Sequence, residues 1–136
     1  MDIQPDDYIA ISELVARYCM TLNLHDTEGW VALFTEDASY KVYGRSWDGH
    51  EGLRKMISAT SIGLHLGGQP TIALVDRDNA RATRCMWVHF PSDGSTRSAI
   101  YEDEVRRTPQ GWRFAGVRCQ FITAEGLRDR PPRVDK

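Results

Sequence analysis

The sequence lacks the features of secreted, membrane-spanning and nucleic-acid-binding proteins. Its only cysteines, Cys19, Cys85 and Cys119, are far apart, and an odd, unpaired set indicates reduced, mostly buried thiols in a cytoplasmic protein. No apolar run approaches the roughly 20 residues that span a bilayer, and the acidic N-terminus is unlike a signal peptide. The net charge is −2, and basic residues are dispersed among acidic ones. We therefore expect neither a membrane nor nucleic acid as a partner.

Motifs for metals and cofactors are also absent. The four histidines, His25, His50, His65 and His89, show no His-Glu-x-x-His or other paired spacing, which zinc sites commonly use. No Gly-x-Gly-x-x-Gly or Walker A pattern is present, and no Gly-x-Ser-x-Gly elbow indicates a serine hydrolase. The sequence predicts a protein without a metal or a cofactor.

The order of apolar patterns indicates one α+β domain. A chain of 136 residues is long enough for one core and too short for two. Apolar residues at helical spacing come first, and alternating strand-like segments follow, which favours helices packed on an antiparallel meander. The tail from Glu125 has little to bury, so it is either disordered or strapped across a neighbouring surface. The predicted helices are one ending at Asn23, 27–34 and 49–60; the predicted strands are 39–43, 70–75, 80–90, 97–107 and 111–123, with a break at 44–49.

Several short blocks resemble the SnoaL-like proteins of the nuclear transport factor two superfamily. They are the run from Ile11 to Asn23 with its Arg17-Tyr18 pair, Leu33-Phe34-Thr-Glu-Asp37-Ala, Asp48-Gly49-His-Glu-Gly52 and Gly111-Trp112-Arg-Phe. The resemblance covers about residues 7–123 and implies a single domain over 1–136. It implies a cone-shaped barrel in which N-terminal helices pack on a strongly curved, mostly antiparallel sheet around an apolar pocket. It also implies a homodimer or higher homo-oligomer, which we expect to form through the outer face of the meander.

The resemblance places a proton-abstracting pair at positions 23 and 65. Dehydratases and dehydrochlorinases of this superfamily use an Asp–His pair, but here the carboxylate position is Asn23, and an amide cannot act as a general base. His65 is the candidate base, and Asn23 either orients it through its amide oxygen or caps the first helix. Asp26 either supplies the missing carboxylate or caps the next helix.

Other polar or aromatic residues are candidates for the pocket wall. Tyr18 lies within the apolar stripe of the first helix, as a core tyrosine or a pocket residue. Arg118 follows Trp112 where family members carry an arginine; alternation points it inward to bind an oxyanion, whereas a bulge would leave it on the surface. Cys85, Trp87 and His89 share one strand face, so all three are inside or all are outside. The full set of predicted wall residues is Trp30, Tyr40, Trp87, His89 and Tyr101.

The resulting functional hypothesis is a cofactor-independent, dehydratase-like lyase acting on a small hydrophobic, cyclic or aromatic molecule. His65 would abstract a proton, and Tyr18 and Asn23 would position the substrate, with Arg118 assisting. The same residues could serve an isomerase or a cyclase, since these reactions also begin by removing a proton next to a carbonyl. A non-catalytic ligand-binding or subunit protein is the remaining alternative, because position 23 carries no carboxylate.

Overall fold

Three helices pack on one large sheet in the structure, a computed structural model that describes residues 2–61 and 63–132. The helices are α1 (Pro5–Asn23), α2 (Thr27–Val31) and α3 (Gly49–Ala59). This arrangement confirms the predicted α+β class. The strands are β1 (Phe34–Val42), β2 (Arg45–Asp48), β3 (Leu64–Gly67), β4 (Thr71–Asp76), β5 (Asn79–His89), β6 (Thr96–Thr108), β7 (Gly111–Thr123) and β8 (Gly126–Arg128).

The sheet is mostly antiparallel, as predicted. Its strand order is β2-β1-β7-β6-β5-β3, with β4 also paired to β5 and β8 to β7. Among the described residues, β1 and β7 form the one parallel pair. Long β5, β6 and β7 form the meander, and their alternating residues separate an inner face under the helices from an outer face.

The core lies between the inner sheet face and one side of α1 and α3. Ile11, Leu14 and Tyr18 of α1 are buried at helical spacing. Trp30 is fully buried and meets Phe34 edge to face, with ring centroids 4.7 Å apart. Because large aromatic side chains dominate the energy of such cores, this cluster fixes how the helices sit on the sheet.

The start of α1 is anchored to the far end of the meander. Pro5 occupies the first turn, where the missing N–H costs nothing. Asp7 accepts two hydrogen bonds from the Arg107 guanidinium, at 3.0 and 2.9 Å, and one from Trp112 Nε1 at 3.2 Å. The Arg107 hydrogen bond lowers the pKa of the Asp7 carboxyl.

Two sequence predictions of local structure are wrong around residues 34–48. The second helix ends at Val31 rather than at residue 34, since Phe34 pairs with Phe114 in the sheet; a short apolar run fits a helix face or a buried strand equally well. The predicted break at 44–49 contains β2. It forms a hairpin with β1 through Tyr43 and Gly44, whose positive φ values of 57° and 71° suit a two-residue hairpin turn.

Strand β3 was also missed, because four residues flanked by glycines give no clear alternation; the strand is defined by its pairing with β5. Strand β7 has the bounds the sequence predicts. The tail is strapped onto the sheet through β8, and Tyr43 N–H donates to the Asp129 carbonyl. Tail residues 133–136 lie outside the described residues. None of the described helices is long and apolar enough to cross a membrane.

Candidate active site

A cavity of about 530 Å³ lies between the inner sheet face, the end of α1 and α3. Its closed end is formed by buried side chains and its open end by exposed ones. A volume of this size is typical of small-molecule sites. The wall residues are Tyr18, Thr21, Leu22, His25, Asp26, Thr27, Tyr40, Val42, Tyr43, Met56, Ile57, Ser58, Thr60, Ser61, Gly63, His65, Val88, Phe90, Arg97, Tyr101, Cys119 and Phe121.

Three tyrosines form the closed end. Tyr18 and Tyr40 hydroxyls are 2.5 Å apart and share a hydrogen bond, while the Tyr101 ring meets Tyr18 edge to face. Burial raises the pKa of all three phenols, so they stay protonated at neutral pH. Because one hydrogen serves the Tyr18–Tyr40 bond, the remaining phenolic hydrogens can be donated to an oxygen atom of a ligand.

A buried ion pair underlies the tyrosines. Arg84 donates to both oxygens of Asp103, from Nε at 2.7 Å and from Nη2 at 3.1 Å, and both side chains are fully buried. The guanidinium carbon of Arg84 is 4.2 Å from the Tyr18 ring centroid. Burial raises the pKa of the Asp103 carboxyl, and Arg84 opposes that shift. The site therefore contains a fixed cation behind its aromatic wall.

His65 lies at the cavity wall, with one ring nitrogen bonded to the backbone. Nδ1 lies 3.1 Å from the Gly63 carbonyl oxygen, and because a carbonyl only accepts, Nδ1 carries the hydrogen. The lone pair of a neutral ring is then on Nε2. Burial lowers the pKa of His65, the Gly63 carbonyl opposes this shift, and the Arg84 charge adds to it. His65 is consequently neutral, and able to accept a proton, at pH 7.

Asn23 holds the backbone of His65 rather than its ring. The Asn23 amide nitrogen donates to the His65 carbonyl at 3.0 Å, and the His65 N–H donates to the Asn23 amide oxygen at 2.8 Å. The amide thus pairs with the free edge of β3, on the side away from β5. The interpretation that Asn23 orients the imidazole is wrong. It is also no C-terminal cap residue, because the left-handed position after α1 is occupied by His25, at φ 58°.

The turn after α1 delivers two polar residues to the open end. His25 N–H donates to the Leu22 carbonyl and Asp26 N–H to the Thr21 carbonyl, which is the Schellman arrangement. Asp26 caps α2 by accepting from Gly29 N–H at 2.9 Å, as one of the two sequence interpretations held. Backbone strain at a residue such as His25 is common at functional sites.

The structure places four predicted site residues away from the cavity: Arg118, Trp30, Trp87 and His89. Arg118 lies on the outer face, half exposed, and its Nη2 is 3.8 Å from Asp129 Oδ1. The reason is a bulge between Phe114 and Val117, both of which face inward, so that alternation reverses before residue 118. Trp30 is buried in the core rather than at the cavity wall.

Trp87 and His89 are outside the cavity as well. Both lie on the outer face of β5 with Cys85, and their rings stack with centroids 5.8 Å apart. The inner residues of this strand are Arg84, Met86 and Val88, because the strand alternates with the opposite phase. The prediction that Trp87 and His89 line the cavity is therefore wrong; the other interpretation of Trp87, a dimer interface, stays a prediction.

Tyr18, Tyr40, Tyr101 and His65 are brought together at the cavity wall, and Asn23 supports His65 from behind. Sequence reasoning missed His25, Arg97 and Cys119 as wall residues. Alternation along β6 and β7 could have indicated that Arg97 and Cys119 face the cavity. For Cys119 that inference also requires the position of the bulge in β7.

The chain belongs to the SnoaL-like domain family, whose model matches residues 5–118. No curated protein matches the sequence. Among solved structures, a Nostoc punctiforme protein of unknown function with a cystatin-like fold is similar at 25% identity and a TM-score of 0.81, over 91% of this chain and 97% of that one.

Two other solved structures share the fold. A variant of Rv3472, a Mycobacterium tuberculosis protein of unknown function, is 27% identical with a TM-score of 0.78, over 96% of this chain and 79% of that one. The hexachlorocyclohexane dehydrochlorinase LinA-type3 of Novosphingobium barchaimii is 15% identical with a TM-score of 0.76, over 93% of this chain and 90% of that one.

Proposed function

We propose that the protein is a cofactor-independent, dehydratase-like lyase acting on a small hydrophobic, cyclic or aromatic molecule. One observation carries the proposal: the His65 ring, with Nδ1 bonded to the Gly63 carbonyl, lines an unfilled cavity that ends in tyrosine hydroxyls. A neutral imidazole and phenolic donors facing one space are the groups that proton abstraction next to a carbonyl requires.

The reaction removes water from a β-hydroxy carbonyl compound. His65 Nε2 takes the proton from the carbon next to the carbonyl, while a tyrosine O–H donates a hydrogen bond to the carbonyl oxygen as it gains charge. The electron pair forms a carbon–carbon double bond and the C–O bond to the hydroxyl breaks. The departing hydroxyl takes the proton from the imidazolium and leaves as water, so His65 returns to its neutral state.

The same fold supports a related elimination elsewhere, since LinA-type3 is by name a dehydrochlorinase. An isomerase or a cyclase would use the same first step and return the proton to a different atom. A cavity that side chains leave open disfavours a purely structural role. A non-catalytic ligand-binding protein would keep the cavity but would not need the lone pair on Nε2 of His65.

The test is a screen of cyclic and aromatic β-hydroxy ketones for dehydration, monitored by the ultraviolet absorbance of the conjugated product. Incorporation of deuterium in D₂O reports proton removal alone. His65→Gln should lower kcat/KM about 10²- to 10⁴-fold, the usual contribution of a general base. His89→Gln is the matched control, because His89 lies outside the cavity, and it should keep full activity.

The pH profile provides a second readout. The base must be neutral, and its pKa is lowered from the ordinary 6.5, so kcat/KM should be level at neutral pH and fall only as the pH drops below about 6.5. Equal turnover and deuterium exchange in folded His65→Gln and wild-type protein would rule out the proposed base.

A further inference from the structure

Arg97 is a cation at the cavity wall that the proposed chemistry does not use. It lies on β6, where the alternation of inner residues continues from Tyr101 and Ala99 to Arg97. The side chain is partly buried, and its guanidinium carbon is 5.5 Å from the centroid of Phe90, another wall residue.

No carboxylate among the described residues forms an ion pair with Arg97. Within residues 2–61 and 63–132, the one hydrogen bond of the Arg97 side chain runs from Nη1 to the Thr96 carbonyl, at 3.1 Å. No Asp or Glu oxygen in those ranges lies within 4.0 Å of the guanidinium nitrogens. Asp93, in the adjoining turn, accepts hydrogen bonds at its Oδ1 from the N–H and Oγ of Ser95. These bonds lower the pKa of the Asp93 carboxyl, and the Arg97 charge adds a smaller lowering from a distance, without an ion pair. Asp26 caps α2. The Arg97 guanidinium therefore keeps several N–H groups that can donate to a ligand.

Sheet register places Arg97 on the same transverse row as the base. His65 is opposite Val88 on β5, and Val88 is opposite Arg97 on β6. Residues that are directly opposite in a sheet point to the same face, and neighbouring strands are about 4.8 Å apart, so the two backbones are about 10 Å apart. Val88 lies between them with its side chain on the same face, so a ring or a short chain resting on Val88 spans the row from the imidazole to the guanidinium.

From this geometry we infer that the ligand of the cavity is a small molecule with an apolar body and a carboxylate, and that Arg97 binds the carboxylate through its guanidinium fork. The inference names the substrate class for the proposed function and rests on it in that respect. Arginine suits this role because its planar N–H groups match both oxygens of a carboxylate. The aromatic wall formed by Phe90 and Phe121 accommodates the apolar body, and the anchored end sets the distance to His65.

The experiment compares each acid with its uncharged amide. Binding of benzoate and benzamide, 3-phenylpropanoate and 3-phenylpropanamide, and cyclohexanecarboxylate and its amide is measured by titration calorimetry at neutral pH. At least one acid should bind the wild-type protein about 10- to 100-fold tighter than its amide, as a charge-assisted pair predicts. Arg97→Gln should remove this preference and leave amide binding unchanged, while Arg97→Lys should keep part of it.

Arg81→Gln is the matched control, since Arg81 lies on the outer face of β5; it should keep the wild-type preference. Thermal unfolding of each variant checks that it is folded. An absence of acid preference for all three pairs, or a preference that survives Arg97→Gln, would overturn the inference. Binding can be measured without turnover, so the two proposals can fail separately. If the acids are preferred but no compound is turned over, only the proposed function fails. If neutral compounds are turned over and Arg97→Gln leaves that turnover unchanged, only this inference fails.

Discussion

At the scale of single residues, the amide of Asn23 is explained by hydrogen bonding. The His65 backbone presents a donor and an acceptor on the free edge of β3, and Asn23 satisfies both. An aspartate has only acceptors when ionised, so it would face the His65 carbonyl with a negative oxygen. Asn23 therefore fixes the position of the His65 backbone, and the imidazole is held by the Gly63 carbonyl instead.

Asn23→Asp should lower both stability and activity. Losing the bond to the His65 carbonyl and placing a carboxylate against it should cost about 1–3 kcal/mol in the free energy of unfolding, measured with urea. Asp26→Asn is the control: an amide caps a helix as well as a carboxylate does, so its free energy of unfolding should change by less than about 0.5 kcal/mol. An Asn23→Asp protein as stable as the wild type would show that the amide pairing contributes nothing.

At the scale of elements, the contact of α1 with the meander includes the buried Arg84–Asp103 pair. Tyr18 of α1 lies over the Arg84 guanidinium, and Asp103 of β6 holds it from the side. Nη1 of Arg84 has no hydrogen-bond partner among the described residues. The pair is therefore desolvated and only partly compensated, which makes each partner strongly dependent on the other.

Asp103→Asn should destabilise the fold by about 3–5 kcal/mol, because it leaves a buried guanidinium without its counter-charge. The double variant Arg84→Met with Asp103→Leu should recover much of that loss, since no charge then remains buried. Glu13→Gln, which breaks the exposed pair with Arg17, should change the free energy of unfolding by less than about 1 kcal/mol. Urea unfolding of the four proteins checks this, and equal effects of Asp103→Asn and Glu13→Gln would contradict it.

At the scale of the whole molecule, the outer sheet face carries exposed apolar and charged residues. Trp87 is 39% exposed and Leu66, opposite it on β3, is 52% exposed. Farther along the same face lies a cleft of mixed charge, with the acidic Glu102 and Glu104 set among Lys41, Arg81 and Arg118. A face that carries both signs of charge and an exposed apolar patch suits pairing with a second copy of itself.

We expect a homodimer through this face. Light scattering at micromolar concentration should give twice the monomer mass of 15.5 kDa. Trp87→Glu should shift the protein to the monomer, because a carboxylate would be desolvated at the interface. Ile9→Glu, on the exposed side of α1, should remain dimeric. A monomeric wild-type protein, or a Trp87→Glu protein that stays dimeric, would exclude this interface.

The sequence by itself determined the class of fold and the long strands, and it singled out His65, which the structure places at the cavity wall. These follow from local rules: helical and alternating spacing are written into consecutive residues, and the short family blocks fix their order. Strand β7 and the helical stripe through Tyr18 were readable for that reason.

The tertiary structure alone decided which side chains reach the cavity. A single bulge in β7 turned Arg118 outward, and the phase of β5 put Arg84 inside and Trp87 outside. Alternation in sequence fixes that residues share a face but not which face is covered. The partner of Asn23 is 42 residues away in the chain, and the row that joins His65 to Arg97 exists only through strand pairing. No local pattern encodes those contacts, because they form when distant segments pack together.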